Sequence, residues 1–561
     1  MRKAKLQQNL LLHINISTMK PIKLLLILLI CPTFAFTQNW QWARSFGGLN
    51  DVSAGITNID SNGNLFLLGN FGGQCYFQTD TLWTSGNAHG MFLAKLDNSG
   101  NEIWIKQPGG ARLSGTQERL TKAVLDEVNS AIYLSGSYSG TLSMDGHSVT
   151  SFSTDHFLVK LDLNGVCQWI ITAGSLIHDE YWNSDIVLDN QSNIYWTAEF
   201  LANGTLNFTS INKGSFLAKV NSSGIIQWAR NEFVDIDPFL KFNGNRLYFT
   251  GTTRGDTCIV DTDTIFNNSN ISIVNPVIGE LDINGDLQWV NHFPCTSNGY
   301  SATLEFDNND NLFFCGVFED TIYINSQQYI STGHQDGFLI KISSLGNPVL
   351  VQQSFTSGGS NKSTSFLGLS KKADGNIYMT GNFNGITSIG PFNLSTINNE
   401  EVFVALIDEN LNWLNVFHFG SAEGGNLKQD SNGDLFLSVR FQNSITLGST
   451  TLNGTGNNDA LIAKCSAITG LPGNGRVANN QLIIYANPNK GSFRIKLPDA
   501  ITTLQNAFLI VYDQTGREVS RFALDNNNDS PRFEVNSASA GMYTVKLIQE
   551  EKVFVGRMVV E

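Results

Sequence analysis

The chain has 561 residues, with 52 glycines against 12 prolines and a formal net charge of −14. Residues 1–37 hold five basic and no acidic groups, which leaves 30 basic against 49 acidic groups, a charge of −19, on the remainder. From Val477 onward nine basic groups balance nine acidic ones, so the excess lies on the residues between; such a surface excludes a nucleic-acid footprint and suits solubility or a cationic or neutral partner.

Taken in order, the chain opens on a secretory pattern. Met19-Lys20-Pro21-Ile22-Lys23 is a short basic start, Leu24 to Ile30 is wholly apolar, and Ala35-Phe36-Thr37 offers small residues before a cut near Gln38. Met19 reads as the true start, and residues 1–37 as upstream sequence plus signal peptide. The apolar run is too short to span a bilayer, so no transmembrane span is expected. Cys31 raises lipid attachment, but Ile30 stands where a small residue is preferred.

From Gln38 one pattern is written seven times. A tryptophan opens each unit at Trp40 or Trp42, Trp104, Trp169, Trp228, Trp289 and Trp413, with Leu350 in one place. A Gly-x-aromatic step follows, as in Gly69-Asn70-Phe71, Gly136-Ser137-Tyr138, Gly316-Val317-Phe318 and Gly381-Asn382-Phe383. The unit ends on Phe-Leu-x-Lys, with lysine at Lys95, Lys160, Lys219, Lys341 and Lys464, and Glu280 and Leu406 in the weaker copies. Self-similarity at a fixed period marks a repeat architecture. Between landmarks, short aromatic and β-branched runs are bounded by turns such as Asp60-Ser61-Asn62-Gly63-Asn64 and Asp430-Ser431-Asn432-Gly433-Asp434. No sustained 3.6-residue apolar period occurs, so helix should be close to absent.

About 60 residues of strand and turn make one four-stranded propeller blade, which needs neighbours to cover both faces. A superhelical stack competes, but stacks carry atypical capping units. Here the ends are complementary. Asn39 to Ala43 is a tryptophan strand, and the pattern stops after Lys464 without one. The expectation is all-β: a seven-bladed β-propeller over 38–470, closed by its N-terminal strand. The units resemble the bacterial SBBP-like β-propeller repeats, with Trp42 to Gly48, Asp60 to Phe71 and Phe92 to Gly100 a good copy. That resemblance implies a propeller and no activity.

After a turn-rich linker, 471–480, the character changes. Residues 481–561 carry Asn487-Pro488-Asn489-Lys490-Gly491, Asp513-Gln514-Thr515-Gly516-Arg517, Gly541-Met542-Tyr543 and Gly556-Arg557. These residues resemble the type A C-terminal sorting domain of the type IX (Por) secretion system, with Ala486 where the family has proline. The resemblance implies partnership with that secretion machinery, translocation of a folded chain, tail removal, and release or attachment at the outer cell surface. Physically, short alternating strands with Gly and Asn turns suffice for a small Ig-like sandwich.

Candidate sites are few. The Asp60, Asp307 and Asp430 turns superficially resemble calcium loops, but the bidentate glutamate and flanking helices are missing, so turn chemistry is expected. The recurrent lysines read as snorkelling stems with carboxylate partners, against a lysine-lined channel. The tryptophans read as packing between blades, against a sugar-stacking platform. Six cysteines, Cys75, Cys167, Cys258, Cys295, Cys315 and Cys465, show no CxxC pairing, and either disulfides or buried thiols fit. His178-Asp179-Glu180-Tyr181-Trp182 breaks the Gly-Gly pattern of its siblings and is a candidate contact loop. Asp80-Thr81-Leu82, Asp263-Thr264-Ile265 and Asp320-Thr321-Ile322 resemble acceptors for periplasmic O-glycosylation, on Thr81, Thr264 and Thr321. No catalytic, metal or cofactor set is expected. The function expected is a non-enzymatic binding or adhesion scaffold for an extracellular polysaccharide or protein, with a polymer-degrading enzyme at the channel mouth as the alternative.

Overall fold

The computed structural model describes residues 39–84, 89–109, 118–175, 177, 179, 184–206, 209–255, 257–261, 263–266, 273–357, 361–396 and 400–467 of the larger unit. Of the smaller one it describes 482–485, 490–496, 507–512, 518–524, 532–535, 539, 541–549 and 552–560. The chain divides into two compact units, Met1–Ile468 and Thr469–Glu561. Every regular element among the described residues is a strand, so the protein is all-β and its larger unit propeller-like.

In the larger unit, antiparallel groups of four strands follow one another. The first is Val52–Ile59, Leu65–Gly72, His89–Leu96 and Glu102–Lys106. The next begin at Arg119, Ser184, Phe239, Gly299 and Thr364 and keep the same order of pairing. The long strand Trp413–Gln429 ends the group that began at Thr364, then starts another with Leu435–Phe441 and Asp459–Cys465. The fourth strand of that last group comes from the other end of the chain: Trp40–Phe46 pairs with Asp459–Cys465, setting Trp42 opposite Lys464 and Phe46 opposite Ala460. Among the described residues no sheet closes on itself through hydrogen bonds.

The middle strands are apolar on both faces because both faces are covered. Ile194–Phe200, Gly214–Val220 and Asp459–Cys465 are buried along their whole length. Each core cluster joins two successive groups. Phe66 and Leu93 meet Leu134 and Phe157, Tyr133 and Leu158 meet Trp196 and Phe216, and Tyr195 and Leu217 meet Phe249 and Val277. Tyr248 meets Phe314, Phe313 meets Met379, and Tyr378 meets Leu437. A further cluster brings Phe436 and Ile462 of the last group onto Leu67 and Phe92 of the first.

Two local devices repeat this succession at the chain's turns. Asp307 Oδ1 accepts the Asn309 and Asn311 amides at 2.8 and 2.9 Å, and its Oδ2 lies 2.9 Å from Lys341 Nζ. Lys95–Asp60, Lys219–Asp189 and Lys464–Asp430 repeat the pair at 3.1, 3.4 and 3.6 Å, each lysine lying over the aromatic ring of Phe66, Tyr195 or Phe436. The ammonium also reaches the following group: Lys160 donates to Ser222 O at 2.9 Å and Lys341 to Glu409 O at 2.6 Å. The recurrent tryptophans work in the same direction. Trp42 and Trp104 donate to Asn98 O and Leu163 O of the next turn, at 3.0 and 3.2 Å. Gly100 and Gly165, at φ +78° and +76°, leave room for these rings; an added Cβ would stand 2.9 and 3.2 Å from them. Where the turn holds Leu411 at φ 59° in place of glycine, Pro348–Ser357, the last strand of the preceding four-strand group, carries Leu350 in place of tryptophan.

Each group also sends an outer hairpin back to the group before it. Gly204–Leu206 pairs with Cys167–Ser175, Thr257–Val260 with Ile226–Val234, and Ile386–Ile389 with Pro348–Ser357. Tyr76 N donates to Gly47 O at 2.7 Å, so the first group's hairpin grips the N-terminal strand in the same way. The six cysteines are all free and buried, which resolves that question against disulfides. They sit in six different core clusters.

One buried carboxyl fits its surroundings poorly. Glu232 is 1 % exposed, neither oxygen accepts a hydrogen bond among the described residues, and Arg230 Nε lies 3.2 Å away. Burial pushes its carboxyl up to about 8, Arg230 opposes this, and Asp261, Asp286 and Asp282 add to it.

The smaller unit has two sheets. Ile483–Tyr485, Ser492–Lys496 and Arg532–Glu534 form one, and Glu518–Leu524, Ala507–Tyr512, Gly541–Gln549 and Lys552–Val560 the other. Both contribute to one core, with Phe493 and Phe533 from the first and Val511, Leu547 and Met558 from the second.

Two measurements check these energetics. Asp307→Ala leaves Lys341 without its carboxylate and frees two turn amides, so equilibrium denaturation should show a loss of about 3 kcal/mol. A loss under about 0.5 kcal/mol would mean the turn and its ion pair contribute nothing. For Glu232, the folded state holds the proton more tightly than the unfolded one, so stability falls as pH rises from 4.5 to about 8. Glu232→Gln should remove that slope in melts across this range.

Candidate functional site

The first strands of successive groups contribute a cavity. Ser53–Gly55, Arg119–Lys122, Ser184–Asp185, Phe239 and Glu423–Asn426 line a space of about 500 Å³. An adjoining space of about 420 Å³ is lined by Phe239–Lys241, Ala302–Leu304, Leu367–Leu369, Gly424–Asn426 and Lys428. The two share Lys122, Phe239, Gly424, Gly425 and Asn426. Apart from Ser184–Leu188, which is mostly buried, these first strands are largely half-buried, and small residues keep the space open. A Cβ on Gly368 would stand 2.8 Å from Gly425 O.

The charges in this space are ordered. Lys122 Nζ lies 3.1 Å from Asp185 Oδ1, and the other oxygen of Asp185 accepts Leu240 N at 2.7 Å. Lys241 Nζ lies 3.1 Å from Glu305 Oε2, and the other oxygen of Glu305 accepts Phe306 N at 3.1 Å. At the rim, Arg440 pairs with Glu423 at 3.2 Å. Lys428 has no ion-pair partner among the described residues, and its ammonium is held down to about 8, chiefly by burial and then by Lys241 and Lys122. Phe239, 49 % exposed, presents an aromatic surface to both spaces.

Among the described residues the carboxyls that burial pushes upward lie elsewhere. Asp155, Asp179, Glu232, Asp336 and Glu400 are all shifted up by desolvation, and none lines this cavity. Among the described residues no group of three or more His, Cys, Asp or Glu side chains could hold a metal ion.

Of the expected contact loop, His178, Glu180, Tyr181 and Trp182 lie outside the described residues. Asp179 is buried and faces its own backbone: its carboxylate accepts Ser175 N at 2.9 Å, Ser175 Oγ at 2.7 Å and Leu201 N at 3.1 Å, so it braces the loop. Thr81 and Thr264 are exposed on outer hairpins, and Thr321 is half buried on another. Lys95, Lys160, Lys219, Lys341 and Lys464 serve the turns and line neither space. Sequence reasoning missed Lys122, Lys241, Lys428 and Asp185. Their signal was a charge on the first strand of a group, as in Phe239-Leu240-Lys241-Phe242, against the mostly apolar neighbours.

In the smaller unit, Gly491 takes φ +88° and Tyr543 is buried, its hydroxyl donating to Ser539 O at 2.8 Å. Gly541 opens a strand and Arg557 lies on the strand paired with it. Asn487, Pro488, Asp513, Gly516 and Arg517 lie outside the described residues.

No curated protein matches the chain at a significant level. Among solved structures, an endo-arabinanase of glycoside hydrolase family 43 from Bacillus licheniformis is 10% identical, covering 50% of this chain and 92% of its own, with a TM-score of 0.23. A member of the duf4221 family from Bacteroides vulgatus is 8% identical over 77% of this chain and 99% of its own, TM-score 0.30. A glycoside hydrolase family 32 protein from Bifidobacterium adolescentis is 9% identical over 77% and 80%, TM-score 0.26. Residues 483–561 match the family model described as a secretion system C-terminal sorting domain. The chain thus ends in a sorting domain of the type IX secretion system, whose machinery takes it to secretion and attachment at the outer cell surface.

Proposed function

We propose that the larger unit, 38–470, is a seven-bladed β-propeller closed by its own N-terminal strand, and that it acts outside the cell as a non-enzymatic binding scaffold. A signal peptide within 1–37, read from Met19, a linker at 471–480 and an Ig-like sorting domain at 481–561 complete the organisation. Closure is supported by the register of Trp40–Phe46 on Asp459–Cys465 and by the core cluster that the last and first groups share.

The observation that carries the non-enzymatic reading is the placement of the carboxyls. Acid–base hydrolysis needs one carboxyl kept protonated beside one kept ionised. Of the carboxylates lining the cavity, Asp185 already engages an ammonium and a backbone amide and Glu423 pairs with Arg440; Glu305 beside it also engages an ammonium and an amide, and the upward-shifted carboxyls stand elsewhere. Binding surface is available instead. Trp83, Phe152 and Tyr300 are 60 %, 95 % and 40 % exposed, and rings of this kind suit the faces of sugars or a protein partner. The candidate loop around Asp179 belongs to the same scheme, with its buried carboxylate fixing the loop and its neighbours making contact. Glycosylation at Thr81, Thr264 and Thr321 would decorate the outer hairpins. The alternative, an extracellular polysaccharide- or protein-degrading enzyme, draws on the cavity at the mouth of the channel.

A panel of plant and bacterial polysaccharides and denatured proteins, incubated with the purified mature chain, separates the two readings. Retention on one or more polymers without release of reducing ends or peptides is expected; turnover that Asp185→Asn abolishes would establish the enzyme. Ending the chain at residue 468 should leave it inside the outer membrane. Surface protease accessibility equal to that of the full chain would contradict the role of the sorting domain.

A further inference from the structure

The lining of the two spaces is net positive, whereas the larger unit as a whole is acidic. Around the smaller of the two spaces stand Lys122, Lys241 and Lys428, and the only carboxylates at ion-pair distance among the described residues are Asp185 and Glu305, each engaged by one of the first two. Lys428 therefore brings an uncompensated ammonium to this interior. Lys428 is half-buried, and a partly buried ammonium without a carboxylate is open to an anion. The effect on Lys428 is visible in its own ionisation: burial and the two neighbouring ammoniums hold it down to about 8, with Glu305 opposing. The hydroxyls of Thr250 and Thr303 and the amide of Asn426 line the same space, and Phe239 offers a ring at its edge.

We propose that this space is a binding site for a compact oxyanion, a carboxylate or sulfate group, received by Lys428 with Lys122 and Lys241 completing its cationic wall. Electrostatics limits what can reach it. The charge of −19 outside repels an extended polyanion, whereas a single anionic group on a small polar molecule meets a locally positive space. A volume of about 420 Å³ admits a sugar-sized molecule, and Phe239 can take a pyranose face while the ammoniums take its acid. The site is distinct from the exposed loops, so its failure would leave the loop-binding scaffold untouched.

Isothermal titration of the purified mature chain at low ionic strength tests it, with sodium sulfate, sodium galacturonate and neutral galactose as probes. Saturable one-to-one binding of sulfate or galacturonate is expected, absent for galactose. The tighter of the two assigns the source, inorganic anion or sugar acid. Lys428→Met should weaken that binding by at least about tenfold, whereas Lys213→Met, an exposed lysine on a loop, should not change it. Lys241→Met, read in the same way, serves if Lys428→Met does not fold. Failure of both anions to saturate below about 10 mM, or wild-type binding by folded lysine variants, would overturn the site.

Discussion

Burial of the middle strands on both faces is the constraint from which the rest of the larger unit follows. A group such as Ser184–Val234 places Trp196 on one side and Tyr195 on the other, and both are fully buried. Neither face can be left to water, since each such ring removes roughly 150–250 Å² from solvent. Every group therefore needs a neighbour before it and a neighbour after it. The described residues meet that need from Val52 to Cys465, with Leu67 and Ile462 in the same cluster.

Directionality comes from polar contacts at the margins. Lysines and tryptophans reach forward to the next group's turn, and outer hairpins reach back to the previous group's last strand. Apolar faces are tolerant of sliding, whereas an indole N–H on one carbonyl, or an ammonium between a carboxylate and a carbonyl, is satisfied in one register only. The chain thus specifies order with groups of low hydrophobic content placed at the perimeter. The aspartate turns do both tasks, holding their own hairpin and presenting the carboxylate that fixes the lysine.

Much of this architecture was legible in the residues, because it is local. The Asp-x-Asn-Gly turns, the alternation of short strands, and the snorkelling role of Lys95 and Lys341 all follow from spacings of five residues or from one strand to its neighbour. The lapse at Leu350 and Leu411 was half legible: the missing tryptophan was plain, but its correlation with a missing turn glycine depends on contact across groups. The cavity was not legible. Lys122, Lys241 and Lys428 stand about 119 and 187 residues apart in sequence, on strands that share no landmark motif, and only the arrangement of first strands around one space brings them together. Nor could the sequence show that the amides of Ser175 and Leu201 take up the carboxylate oxygens of Asp179, since one of these partners lies 22 residues away.

The distribution of thiols has a consequence for how such a chain can travel. Cys75, Cys167, Cys258, Cys295, Cys315 and Cys465 are parked in separate compartments of the core, and burial suppresses ionisation in Cys295 and Cys315 up to about 12. Once assembled, no sulfur can attack another, and oxidants find almost no thiolate. Before assembly the same six are open to cross-linking in the envelope, where disulfide formation is favoured. For a chain carried by a type IX machinery, reaching the folded state is thus what takes these six thiols out of the reach of oxidants.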